Sequence, residues 1–151
     1  MSFTLYAGAV VGIAGLIGPG RTEAAKIVAG ALQRNLIRGG SVLLRGKPVR
    51  YRVPRQAIDD GIAYITEDRK LDGFFETMTI EENIHLGQLA TRRGFRWLIS
   101  ARERQQVAGR FIEQLRVWAA SAGVKIIELS GGNPQKVVVA KSLVQAPDVI
   151  I

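Results

Sequence analysis

The chain has 151 residues, nearly half of them apolar, and a formal net charge of +8. That length and apolar content suit one domain or part of a larger one and exclude a disordered segment. The absence of cysteine excludes disulfides and cysteine-held metals, and it fits a reducing cytoplasm.

Ser2 to Tyr6 alternates polar and apolar residues, and Ala7-Gly8 can turn the chain into Ala9-Val10-Val11-Gly12-Ile13-Ala14. The pattern predicts a strand, a turn and a second strand. The apolar run lacks a basic start and is broken by glycines, so it is not a signal peptide. No stretch reaches the roughly 20 apolar residues of a membrane span, so the chain itself is expected to be soluble or peripheral.

Gly15-Leu16-Ile17-Gly18-Pro19-Gly20-Arg21-Thr22 follows, and a helix is predicted from near Arg21 through Val28, ending before Gly39-Gly40. Strand, glycine loop and helix start form the context of a phosphate-binding loop. Glycines let backbone N–H groups approach a ligand, and the helix N-terminus favours an anion there. The loop matches G-x-x-x-x-G-K-[ST] except that Arg21 stands for lysine. Arg21 keeps the charge in a bulkier, planar form. Thr22 keeps the hydroxyl that ligates Mg²⁺. The competing reading is an apolar strand ending in an ordinary glycine turn.

Ser41 to Arg45 reads as a strand, Gly46-Lys47 as a turn and Pro48-Val49-Arg50 as a return strand at an edge. Pro54 to Asp60 reads as a short helix, with Pro54 first and Gly61 as the stop. Ile62 to Ile65 is a buried strand candidate, and Thr66 to Gly73 is a charged loop at its end. In open α/β sheets ligands bind beyond strand C-termini, so this loop is well placed to sense one.

Thr79 with Glu82 forms a capping-box pattern, and Ser100 with Glu103 repeats it. The second helix puts Val107, Phe111, Leu115 and Trp118 on one stripe, read as a packing face. Arg92, Arg93, Arg96, Arg102, Arg104, Arg110 and Arg116 crowd this region beside Phe95, Trp97 and Trp118. A solvated helical face accounts for them better than a nucleic-acid patch. His85, the only histidine, reads as structural or surface.

Leu129-Ser130-Gly131-Gly132-Asn133-Pro134-Gln135-Lys136 precedes an apolar helix through Val144. Ser130, Gly131 and Gly132 offer a hydroxyl and backbone donors at a helix N-terminus, a second anion site. A serine–glycine helix cap is the simpler alternative. Val149-Ile150-Ile151 then begins an apolar strand, which suggests a chain cut inside a longer reading frame.

This order of parts resembles the ATP-binding subunits of ABC transporters. The glycine loop resembles their Walker A motif, and Leu129 to Gly132 their signature. Glu67 stands where their Q-loop glutamine lies. A narrower resemblance is to the second nucleotide-binding domain of bacterial monosaccharide importers of the ribose, galactose, xylose and arabinose type. It rests on Gly20-Arg21-Thr22-Glu23, on Glu67 to Lys70 and on Gly131 to Lys136. Pro134 in place of glutamine and Ala9 in place of glutamate depart from that pattern.

The resemblance implies a P-loop α/β fold with an antiparallel β edge region and a helical insert, as one incomplete domain. Its parts are residues 1–75 (Walker A core and β region), 76–128 (helical insert) and 129–151 (signature helix and start of the Walker B strand). It implies ATP and Mg²⁺ as cofactors, bound by Gly15, Gly18, Gly20, Arg21, Thr22 and Glu67. Ser130, Gly131 and Gly132 would face the γ-phosphate of a sister domain. It further implies a transmembrane sugar permease, a separate sugar-binding protein and a place on the inner face of the cell membrane, with no nucleic acid. The Walker B Asp-Glu pair is expected just after Ile151, so the chain alone is expected not to hydrolyse ATP. The alternatives are a truncated nucleotide-binding module with no transport role, or a basic nucleic-acid-binding domain.

Overall fold

Arg45 and Gly46 both take positive φ, 51° and 77°. That is the geometry of a tight hairpin turn whose twist matches its strands. It joins β1 (Val42–Leu44) to β2 (Lys47–Val49) as an antiparallel pair, with Val42 opposite Val49 and Leu44 opposite Lys47. The turn is therefore centred one residue earlier than Gly46-Lys47. Pro48 costs nothing here, because a two-stranded sheet has only edge strands. The computed structural model of the chain describes residues 2–15, 20–33, 40–68, 73–92 and 100–151.

α1 (Arg21–Val28) is shorter than the sequence pattern suggests. Gly30 at φ 71° ends it, and a Cβ on Gly30 would lie 2.7 Å from the Val53 carbonyl oxygen. The close passage of the 51–53 segment, not Gly39-Gly40, fixes the stop. Gly39 lies outside the described residues.

α2 (Pro54–Asp59) starts on its proline, as read. Gly61 follows at φ 83° and turns the chain into β3 (Ile62–Ala63). β4 (Val149–Ile150) pairs with β3 in parallel, Ile62 opposite Val149 and Ala63 opposite Ile150. The Ile65 N–H donates to the Ile151 carbonyl at 2.7 Å, extending the pairing. Tyr51, Ala57 and Ile62 form a small core here, with Val28, Val49, Val149 and Ile151 packed on it.

The larger core lies among α3 (Ile80–Thr91), α4 (Ala101–Gln114), a 3-10 turn (Ile126–Glu128) and α5 (Asn133–Leu143). Ile80, Ile84, Phe111, Ile126 and Val137 fill it. The capping box at α3 forms in both directions: the Glu82 N–H donates to Thr79 Oγ1, and the Thr79 N–H to Glu82 Oε2. At α4 only half the box forms. The Glu103 N–H donates to Ser100 Oγ at 3.1 Å, while the Glu103 carboxylate pairs with Arg92 at 2.9 Å. α3 and α5 touch backbone to backbone at Gly87, where a Cβ would fall 1.9 Å from the Lys141 carbonyl oxygen.

Several expectations fail. Neither Ser2 to Tyr6 nor residues 9–14 form a strand, and Val10 is fully exposed. A strand exists only where a neighbour completes its hydrogen bonds, and no described strand pairs with either run. The turn at Ala7-Gly8 is present, with the Ala9 N–H bonded to Tyr6. Trp118 is not on the packing stripe. α4 stops at Gln114, Arg116 takes φ 50°, and Trp118 points outward, 82% exposed. Val107, Phe111 and Leu115 do pack inward.

The described arginines of the basic stretch are partly engaged by carboxylates. Arg92 pairs with Glu103 and Arg104 with Glu81, while Arg110 lies over the Phe111 ring at 5.2 Å. Arg93, Phe95, Arg96 and Trp97 lie outside the described residues. No helix among the described residues is long and apolar enough to cross a membrane.

Candidate functional site

Gly20 stands at the N-cap of α1 in the left-handed region, φ 77° and ψ 18°, and has no side chain to close the helix end. Arg21 and Thr22 are the first two helical residues. The first-turn N–H groups are thus left open by the cap, which is the arrangement that favours an anion. Gly15 is exposed in an irregular segment, and Gly18 lies outside the described residues.

Thr22 Oγ1 donates to Glu67 Oε2 at 2.9 Å. Two candidate residues 45 positions apart in the chain therefore meet, one from the first turn of α1 and one from the loop after β3. A threonine hydroxyl has one proton and two lone pairs. Giving its proton to Glu67 leaves the lone pairs free to face a cation. The result is a neutral oxygen beside a carboxylate, a donor set that suits a hard cation such as Mg²⁺. No group of three or more His, Asp or Glu among the described residues could hold a metal alone. Mg²⁺ ordinarily takes one or two protein oxygens and completes its shell with phosphate and water, so this pair fits that mode.

The second site is built at the other end of the helical unit. Gly131 takes φ 61°, and Gly132 is the N-cap of α5 with no side-chain cap. Ser130, Gly131 and Gly132 are all exposed. Asn133 holds this loop in place: its Nδ2 donates to the Ser130 carbonyl at 3.0 Å, and its Oδ1 accepts from the Trp118 N–H at 2.8 Å. Lys136 Nζ donates to the Arg116 carbonyl at 2.6 Å. The turn after α4 and the loop before α5 are thereby tied together. Pro134 sits in the first turn of α5, where its missing N–H leaves no intrahelical bond unmade.

Sequence reasoning missed Asn133 as the organiser of this loop, although it lies in the Gly-Gly-Asn pattern. It also missed Asn83, fully buried, which accepts from the Phe75 N–H and donates to the Phe75 and Thr79 carbonyls. A buried asparagine beside a predicted cap was the available signal. His85 is half-buried on α3, and its Nδ1 has no partner among the described residues. No hydrogen bond or ion pair among the described residues joins Ser130, Gly131 or Gly132 to Thr22 or Glu67.

Comparison with known proteins gives the family and the fold. The ABC transporter family model matches residues 1–151. The ribose import ATP-binding protein RbsA 3 of Rubrobacter xylanophilus is 46% identical over 94% of this chain and 28% of its own length. The galactofuranose transporter ATP-binding protein YtfR of Escherichia coli O157:H7 is 42% identical over 95% of this chain and 28% of its own. The chain thus spans less than a third of these relatives. Among solved structures, a nucleotide-free ATP-binding cassette from an ABC transporter superposes with TM-score 0.66 at 20% identity, over 89% of this chain and 53% of that one. A dimeric post-hydrolysis ATP-binding cassette bound to ADP and Pi gives TM-score 0.68 at 20% identity, over 87% and 54%. These likenesses carry the fold, that of the ATP-binding cassette with its P-loop α/β core. With a family model matched along its whole length, the chain belongs to the ABC transporter family.

Proposed function

We propose that this chain is part of the ATP-binding subunit of a monosaccharide importer, in which ATP binding and hydrolysis drive sugar across a membrane through a permease. The observation that carries the reading is the Thr22–Glu67 contact, set at the open N-terminus of α1. The names of its relatives, for ribose and for galactofuranose import, support the sugar class without choosing between the two.

In this reading Gly15, Gly18, Gly20 and Arg21 cradle the nucleotide phosphates, and Thr22 offers an oxygen to Mg²⁺. Mg²⁺ would supply charge neutralisation between phosphate oxygens. Glu67 orients the Thr22 hydroxyl. Ser130, Gly131 and Gly132 serve a different nucleotide, one held by a sister domain. There they act as fixed donors on charge that grows at the γ-phosphate. Arg21 binds phosphate as a forked cation in place of the compact lysine ammonium, which makes its own loop the weaker of the two sites. The assembly takes its sugar from a separate binding protein and sits on the cytoplasmic face of the membrane.

The test is a titration of fluorescent ATP analogue into the purified protein with and without Mg²⁺. Binding should tighten with Mg²⁺, and Thr22→Ala should remove most of that gain. Binding that ignores both Mg²⁺ and Thr22 would overturn the reading.

A further inference from the structure

Trp118 is the most exposed aromatic residue among those described, at 82%. Its backbone, by contrast, is held from three sides. Its own N–H donates to Asn133 Oδ1 at 2.8 Å. One residue back, Val117 is buried in the larger core, and its N–H donates to the Ile112 carbonyl at 2.9 Å. Two residues back, the Arg116 carbonyl accepts from Lys136 Nζ. An indole left in water forgoes a large burial gain. With the backbone already fixed, only two side-chain torsions remain to be ordered when the ring meets a partner.

The surroundings say what that partner is. Asn133, which holds Trp118, also donates through Nδ2 to the Ser130 carbonyl at 3.0 Å. One side chain therefore fixes Trp118 beside Ser130, Gly131 and Gly132, the exposed loop that opens α5. Arg116 is exposed, and among the described residues no carboxylate pairs with it. Ala119, Ala120 and Ser121 follow and are small, so in this stretch the ring stands singly and not within an apolar patch of the kind that marks a protein interface. Donors, a cation and a flat ring on one surface match the parts of a nucleotide, with phosphate on the donors and base on the ring.

We propose that Trp118 is a base-stacking residue: its indole packs on the purine ring of the nucleotide whose γ-phosphate meets Ser130, Gly131 and Gly132. The assignment rests on the function proposed above, in which a sister domain holds that nucleotide. It gives a surface that otherwise binds only phosphate a contact with the base. A purine offers the indole more stacking area than a pyrimidine, so Trp118 contributes a preference between nucleotides as well as affinity.

The test is steady-state hydrolysis of ATP and of CTP by the full-length subunit, by Trp118→Ala and by Trp118→Phe, beside each variant's Tm. Trp118→Ala should raise KM for ATP about fivefold or more, the range of one lost aromatic–base stack, and KM for CTP only about twofold. Its Tm should stay level, because an exposed ring adds little to folding. Trp118→Phe keeps a ring and should bring KM for ATP back to within about twofold. An equal rise for both nucleotides would overturn the proposal and put a protein surface on the ring instead. A KM for ATP that ignores Trp118→Ala would overturn it too. If the unaltered subunit does not hydrolyse Mg-ATP, the proposed function itself falls, and the stacking with it. An active subunit with no base-dependent change sinks the stacking alone.

Discussion

Thr22 Oγ1 donates a hydrogen bond to Glu67 Oε2 at 2.9 Å although 45 positions separate the two residues. The direction of that bond matters. Thr22 donates and keeps both of its lone pairs. Glu67→Gln keeps an accepting oxygen and loses the charge. We expect Glu67→Gln to weaken Mg²⁺-dependent ATP binding by no more than about threefold, whereas Glu67→Ala should cost about tenfold, the range of one lost charge-assisted bond. The same fluorescent titration reads both. Equal losses would mean that charge alone, and not the hydroxyl's orientation, matters at this position.

Gly131 and Arg21 should rank far apart. Gly131 sits at φ 61° with open space where a Cβ would go. Aspartate is among the residues that tolerate this region, so Gly131→Asp should fold. It then presents a negative charge where a partner's γ-phosphate is expected. Losing one such donor site costs on the order of a hundredfold in rate. In the full-length subunit, Gly131→Asp should abolish ATPase activity and sugar uptake, while Arg21→Ala keeps much of both. Measured side by side at equal expression, the reverse ranking would remove the assignment of the two sites.

Gly87 should be a stability position with no chemical role. A Cβ there overlaps the Lys141 carbonyl and comes 2.9 Å from Val144 Cγ1. α3 and α5 must separate to admit it. Gly87→Ala is expected to cost about 3 kcal/mol, the upper end for overpacking, or on the order of 10 °C in Tm. A thermal melt decides it, and a change below about 1 °C would mean the helices do not approach as closely as this.

Tyr51 gives the protein an alkaline weakness. Burial, together with its bond to Asp60 at 2.8 Å and that carboxylate's charge, pushes the phenol up to about 12 from the ordinary 10.0. The folded pKa is the higher one. The stabilisation is therefore whole below pH 10 and is lost as pH rises through about 12. Urea midpoints measured across that window should fall less steeply in Tyr51→Phe, by up to one proton per molecule. Identical slopes would show that Tyr51 ionises freely in the folded state.

Much of this was legible because it is local. The Thr79–Glu82 box, Pro54 opening α2 and Gly61 closing it are decided by neighbours within a few residues, and all appear as read. So does the Arg45-Gly46 hairpin, displaced by one residue because Arg45 itself accepts positive φ. The errors are non-local. Apolar residues 9–14 have strand composition but no described pairing partner, and composition cannot supply one. α1 ends at Gly30 because residues 51–53 cross it, a contact that helical periodicity cannot report. Trp118 left its stripe because Arg116 turned the chain after α4 had ended. At the candidate site, the glycine-loop pattern pointed to Thr22 and the family resemblance to Glu67, but only three dimensions could show that they meet.

The β3–β4 pair carries a cost in time. Among the described residues Ile62 finds its parallel partner in Val149, and Ala63 in Ile150. On a ribosome adding about 5–20 residues per second, β3 waits several seconds for that partner to be made. During the wait Ile62 and Ala63, buried in the finished protein, have an open hydrogen-bonding edge. The α3–α4 pair, already capped by Thr79 and Ser100, is assembled from nearer stretches of chain and can collapse first. Synthesis from N-terminus to C-terminus therefore leaves the β3 edge open until β4 is made. That is the part a nascent-chain chaperone would be expected to shield.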